Sequence, residues 1–131
     1  MIIADTDVLI DFLAGRSPAR EPVAVALEQG NLCTTAITRF ELLCGARDQR
    51  QENTILTLLG ALPTLPLDAA ASDRAARVRR KLDGAGETIG MADSLIAGIV
   101  LCRGGIFLTR NRRHFERVAG LALYDLDSFP N

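Results

Sequence analysis

Apolar residues fill positions 1–4 and resume at 8–10, with Asp5, Thr6 and Asp7 between them. A short unbroken apolar run predicts a strand buried on both faces, as in parallel sheets. Positions 8–13 then read as a helix ended by Gly15 and Pro18, and 22–29 as a second helix closed by Gly30. A brief strand at 32–34 precedes a helix through Phe40, Leu42 and Leu43 that stops at Gly45. Positions 52–59 form an amphipathic helix, and 61–67 an extended segment with Pro63 and Pro66 marking its ends. Across 68–82, Ala71, Ala75, Val78 and Leu82 recur at the spacing of one helical face, opposite Arg74, Arg77, Arg80 and Lys81. The GAGETIG stretch at 84–90 is a flexible loop. Positions 91–102 are apolar nearly all round and predict a buried central helix. Strands are expected at 106–109 and 121–124, with a short basic helix between them.

Strands alternating with helices imply βαβ units and a parallel sheet covered on both faces. Such sheets bind ligands at the carboxyl ends of their strands, near a switch in strand order. Asp5 falls at the end of the first strand.

The 131 residues suit a single domain, 1–131, and 48% hydrophobic with 24% charged residues is a globular composition. A formal net charge of -1 gives no global basic field to announce nucleic-acid binding. Cys33, Cys44 and Cys102 form no CxxC pair, and with one histidine, His114, they offer no zinc or haem signature. They read as small buried hydrophobes in a reducing compartment. The N-terminus lacks a basic leader, and the longest apolar stretch, 95–102, is far short of the roughly 20 residues that span a bilayer. A cytoplasmic protein without membrane contact is expected.

Three carboxylates stand out. Asp5, Thr6 and Asp7 can simply cap the first helix, although one cap does not need two acids. Thr38-Arg39-Phe40-Glu41 matches a capping box; if the helix instead begins near Thr35, Glu41 falls inside it among apolar neighbours, where a lone carboxylate is costly. Asp93 has Ile96, Ala97 and Val100 at helical spacing, so its side chain is expected on the core side. The helix dipole favours an acid in the first turn by roughly 0.3–1 kcal/mol. Desolvating an unpaired carboxylate costs several kcal/mol, so for Asp93 a ligand outweighs a dipole contact. Acids that converge at one sheet edge repel one another unless a divalent cation neutralises them. Oxygen-only ligands favour Mg²⁺ or Mn²⁺, which activate water and screen phosphate in phosphodiester chemistry.

Asp5 in IIADTDVLID, Glu41 in ITRFELLCG, Asp93 in IGMADSLIAG and the tail FLTRNRRHFERVAGLALYDLD together resemble the PIN domain, most closely the VapC-type toxins of bacterial toxin–antitoxin pairs. The similarity covers nearly the whole chain, with the four blocks in family order. It implies a three-layer α/β/α sandwich with a mainly parallel sheet and Mg²⁺-dependent endoribonuclease activity yielding 5′-phosphate products. It also implies a homodimer and inhibition by a VapB-like antitoxin.

Asp5, Glu41 and Asp93 match the family's most constant acids: Asp5 and Asp93 as direct metal ligands, Glu41 as a further ligand or the group that orients water. Thr6 and Thr109 match hydroxyls that support the site, and Asp7 either adds charge to the pocket or caps the helix. Many relatives carry a fourth acid at the position of Asn111 or of His114, and neither is acidic here. Asn111 remains able to hydrogen-bond a metal-bound water or a carboxylate. His114 is either a packed or exposed histidine before Phe115 or a donor to phosphate, its ordinary pKa being about 6.5. Arg110, Arg112 and Arg113 are candidates to hold the RNA backbone, against the default of a solvated face.

Two other readings stand beside the nuclease. DTDVL also resembles the start of haloacid-dehalogenase-type phosphatases, with Asp5 as nucleophile, but Lys81 is the single lysine and lacks the expected motif. A PIN scaffold that binds RNA or a partner protein without cutting is the other.

Overall fold

The structure, a computed structural model, describes residues 1–128. Strand β1 (Ile2–Ala4) leads through α1 (Thr6–Leu13) and α2 (Arg20–Glu28) to β2 (Leu32–Thr35). Helices α3 (Ala36–Cys44) and α4 (Gln49–Gly60) then precede the two-residue strand β3 (Thr64–Leu65). Helices α5 (Ala69–Gly84) and α6 (Met91–Arg103), strand β4 (Ile106–Leu108), the short α7 (Arg112–Phe115) and a 3₁₀ turn (Leu126–Ser128) follow.

The four strands pair in the order β3-β2-β1-β4, all parallel. The chain steps outward from β1 to β3, then returns to place β4 on the other side of β1. That reversal lies between β1 and β4, and it sets the residues that follow those two strands, Asp5 and Thr109, beside each other.

The sheet is coated on both faces, giving three layers. On one side Ile3, Cys33 and Phe107 pack with Ile96, Ile99 and Val100 of α6 and with Ala71 and Leu82 of α5. On the other, Ala4, Leu32 and Leu108 pack with Val8 and Leu9 of α1, Val23 of α2, Leu42 of α3 and Leu58 of α4. The strands are buried on both faces, which is why they show no alternation of apolar and polar residues.

Polar caps set the helix starts. Asp5, Thr35, Asp48 and Asp68 each accept a backbone N–H of the first turn of α1, α3, α4 and α5. The cap at Thr35 decides between the two alternatives for Glu41: Thr38 is the third residue of α3, and Glu41 lies in its interior. Pro22 sits in the first turn of α2, where a missing N–H costs nothing.

Two expectations need correction. The segment 121–124 is not a full strand: Leu123 makes a single parallel bridge to Phe107. Strand β4 turns one residue outward, so Phe107 N–H donates to the Ala122 carbonyl and Phe107 C=O accepts from Tyr124 N–H, and the ladder ends after that rung. The cysteines are not all buried: Cys33 is in the core, whereas Cys44 and Cys102 are exposed at the last turns of α3 and α6. Among the described residues no helix is long and apolar enough to cross a membrane.

Candidate active site

Asp5 follows β1 directly and caps α1, which fixes its side chain at the switch point. It is 6% exposed; Oδ1 accepts the Thr6 backbone N–H at 2.8 Å, and Oδ2 accepts the Thr109 hydroxyl at 2.6 Å. Thr109 follows β4 and is fully buried. Its single hydroxyl proton goes to Asp5, with Asp7 Oδ2 farther off at 3.4 Å, while its oxygen accepts the Asn111 backbone N–H at 3.0 Å.

On the other side of Asp5, Thr6 donates to Glu41 Oε1 at 2.7 Å. Having spent its proton there, Thr6 takes one from the buried Thr38 hydroxyl 3.0 Å away. Helix α3 thus delivers two side chains one turn apart, Thr38 and Glu41, to the same threonine.

Asp93 enters from the first turn of α6 and is not driven into the core: its side chain is 26% exposed, at the rim. His114 Nδ1 lies 3.3 Å from Asp93 Oδ2 and 2.8 Å from Asn111 Nδ2. The ring nitrogen serves one neighbour at a time. As an acceptor it takes the Asn111 amide proton; as a donor it serves Asp93, and Asn111 then presents its oxygen instead.

All eight polar residues singled out from the sequence therefore join one network. It runs from Asp93 through His114, Asn111 and Thr109 to Asp5, then through Thr6 to Glu41, with Asp7 hanging from Thr109. The three principal acids are linked by hydroxyls and an imidazole rather than clustered directly. Among the described residues no three His, Cys, Asp or Glu side chains form a ready cage for a metal ion.

Among these acids Asp5 carries the clearest electrostatic load. The Asp5 carboxyl is pushed up to about 7, first by burial, then by the charge of Asp7 and less by that of Asp93, against the opposing pull of its Thr109 and Thr6 hydrogen bonds. Burial also raises Asp7, opposed by the Arg110 backbone N–H and guanidinium. Among the described residues no arginine or lysine forms an ion pair with Asp5 or Glu41. Oxygen donors with uncompensated charge are the donor set a hard dication takes. Mg²⁺ keeps most of its waters and needs only one or two carboxylates, so the residues present fit it without a three-acid cage.

The basic residues of the tail divide. Arg110 is anchored: its Nε meets Asp11 Oδ2 at 2.7 Å, and its backbone N–H donates to Asp7 Oδ2 at 3.1 Å. Arg112 lies 3.5 Å from Asp125 and 3.9 Å from Glu116, so the guanidinium is shared between two surface acids. Arg113 is exposed and free of ion pairs among the described residues. Asp11, buried on α1, escaped the sequence reading. Its one signal was an acid one turn beyond Asp7 on the same helix face.

Residues 2–121 match the family model of the PIN domain. The chain belongs to the PIN-domain family. The PIN domain is 35% identical over 125 residues to a protein of Shigella flexneri named tRNA(fMet)-specific endonuclease VapC, covering 92% of this chain and 94% of the relative. It is 28% identical over 126 residues to Ribonuclease VapC1 of Methanocaldococcus jannaschii, covering 95% and 87%. Among solved structures, the VapBC complex of Salmonella typhimurium bound to DNA superposes with a TM-score of 0.80 at 27% identity, over 95% of this chain and 97% of the other. VapBC2 of Rickettsia felis, bound to a promoter DNA fragment, gives 0.82 at 21% identity over 95% and 98%, a likeness of fold. The chain is thus a PIN domain of the VapC type. The phosphatase alternative finds no support: Lys81 lines a separate cleft on α5, and no lysine stands at Asp5.

Proposed function

We propose that this PIN domain is a metal-dependent endoribonuclease acting as the toxin of a toxin–antitoxin pair. The observation that carries the reading is the buried Asp5 carboxylate, which shares one hydrogen-bonded network with Asp93 and Glu41 and, among the described residues, has no cationic side chain paired with it. The VapC relatives named as endonucleases and ribonucleases support it.

Asp5 and Asp93 would hold Mg²⁺, or Mn²⁺ in its place, with Glu41 a further ligand or the partner of a water. Bound there, the ion supplies a Lewis acid that acidifies water and screens phosphate charge. The protein's own groups do the rest. Thr109 and the Thr6 N–H hold the two oxygens of Asp5 in a fixed plane, and Thr6 occupies Glu41 Oε1, which leaves Oε2 to accept a proton from the attacking water. His114, when its Nδ1 accepts the Asn111 amide proton, carries its own proton on Nε2 and can donate it to phosphate or to the leaving oxygen.

A VapB-like antitoxin would occupy the open groove of about 680 Å³ beside Glu41. Ile10 and Leu13 of α1 and Leu42 and Ile55 supply an apolar bed there, and Glu41 and Asp48, beside Arg47 and Arg50, offer partners to a segment carrying charge of both signs. The same family supports a homodimer, for which Phe40 on α3 and Met91 on α6, each 66% exposed, are the side chains a second copy would cover.

The test is cleavage of RNA, with tRNA as first substrate. Cleavage with Mg²⁺ or Mn²⁺ that stops with EDTA and with Asp93→Asn supports the reading. A folded, metal-supplied protein that binds RNA without cutting it would instead be a PIN scaffold, and one that ignores RNA would defeat both.

A further inference from the structure

A second cleft, of about 170 Å³, opens away from the acidic network, where α5 meets the end of α6 and the turn after α7. Arg74, Arg77 and Lys81 line one wall from α5, at the i, i+3, i+7 spacing of a single helix face. Arg117 closes the opposite wall, and Leu101 and Val118 contribute to an apolar floor. All four cations are exposed, and among the described residues none of them forms an ion pair. Four cations gathered on one concavity repel one another unless an anion lies between them. At ~30 Å³ per water, the cleft has room for a phosphate group with part of its hydration shell.

Its position relates it to the network already described. Leu101 lies eight residues beyond Asp93 on α6, ~12 Å along the axis at 1.5 Å per residue. Arg117 follows His114 by three positions on the segment that carries α7. The cleft therefore stands a few nucleotides' length from Asp93.

We propose that this cleft binds the phosphodiester backbone of the RNA strand outside the catalytic cup, as a second electrostatic foothold for substrate. The proposal rests on the ribonuclease reading and adds to it where the strand goes. Charge selects this occupant. A two-fold contact centred here would set each cation cluster against its own copy, which disfavours a second chain. An apolar floor with cationic walls suits a ribose–phosphate chain, whose sugars are less polar than its phosphates.

The experiment compares the wild-type protein with the Arg77→Gln/Lys81→Gln/Arg117→Gln variant, whose substituted side chains are exposed and whose fold is checked by circular dichroism. Binding is measured in EDTA by fluorescence anisotropy across a salt series. The probes are single-stranded RNAs of ~4 and ~16 nucleotides, the range of common single-strand site sizes. Each phosphate contact on a single strand contributes about 0.7 to the slope of log K against log salt, so the longer RNA should bind the variant roughly tenfold more weakly with a slope shallower by about 2. The shorter RNA should bind both proteins alike.

Unchanged affinity and slope for the longer RNA would overturn the assignment, and the ribonuclease reading would survive if the wild-type protein still cleaves RNA with Mg²⁺. A wild-type protein that neither binds nor cleaves RNA removes both. If poly-glutamate binding is lost in the variant while RNA binding is untouched, the cleft serves an acidic protein and the RNA assignment falls.

Discussion

The Thr109 hydroxyl donates to Asp5 Oδ2 at 2.6 Å across 104 positions of sequence. Because β1 and β4 are parallel neighbours, the residues that follow them emerge at the same edge of the sheet. One contact therefore couples the last block of the chain to its first acid. Replacing Thr109 by valine keeps the shape and removes the proton donor. That bond holds the Asp5 pKa down, so its loss lets the carboxyl rise further. In Thr109→Val the acid limb of the pH–cleavage profile should move to higher pH at unchanged fold, with weaker metal binding at neutral pH. A profile that superposes on the wild type would show that the hydroxyl is idle.

Asp5 also ties stability to pH. Its pKa in the folded, metal-free chain is about 7 against 3.8 for an unperturbed aspartate, so the folded state holds the proton more tightly than the unfolded state. This contribution favours folding at pH below the unfolded value and is lost progressively as pH rises through that window toward 7. In EDTA the melting temperature should fall as pH is raised from 5 to 8, by this group's contribution, and Asp5→Asn should flatten the fall. Mg²⁺ should raise the melting temperature most at the alkaline end, where the carboxylate is ionised and free to bind. Differential scanning fluorimetry over pH, with and without metal, reads all three.

Asp93 and His114 are separable by kinetics. Asp93→Asn should abolish RNA cleavage, with loss of at least ~10²-fold, the lower end for a group acting on the reacting centre. His114→Ala should leave the Asp93 carboxylate in place and metal binding largely intact, lowering the single-turnover rate by about tenfold or more if its ring handles a proton. Equal loss in metal titration for both variants would reduce His114 to a prop for Asp93.

Arg110 and Asp11 form a pair whose function is placement. Asp11 is buried and Arg110 half exposed, and removing the arginine leaves a carboxylate with only the distant Arg16 guanidinium at 3.9 Å. After discounting for solvent at the arginine end, Arg110→Ala should cost ~1–2 kcal/mol in urea denaturation. The double variant with Asp11→Ala should cost less than the two singles summed. Strict additivity would mean that the pair is not coupled.

How far the sequence alone led depends on the range of each contact. The parallel alternation, the buried α6 and the polar network were legible because strand ends in an α/β fold converge, so that acids at the ends of separate elements meet. The start of α3 was not, since Thr35 and Thr38 are both valid caps and only the preceding strand, paired through Thr35 to Leu65, decides which is used. The fate of Arg110 was hidden for a similar reason: a basic cluster looks alike whether it faces solvent or a buried acid such as Asp11, some hundred positions away. The segment 121–124 has strand composition, but the length of its partner β4 limits it to one rung.

Gly98 shows how tightly α6 is held against α5. A Cβ added there would lie 2.5 Å from the Ala71 carbonyl oxygen and 2.7 Å from the Ala75 Cβ and backbone nitrogen, all on α5. Backbone cannot swing aside as a flexible side chain does, so the two helices must part. Ordinarily alanine favours a helix over glycine by roughly 1 kcal/mol. Here overpacking, typically 1–3 kcal/mol and set by immovable main chain, should win. Gly98→Ala should therefore lower stability in urea despite its helix propensity. Because α6 also carries Asp93, the displacement should weaken metal binding in protein that remains folded. A Gly98→Ala variant as stable as the wild type would mean that α5 and α6 slide freely, and that Asp93 is placed by its own first turn alone.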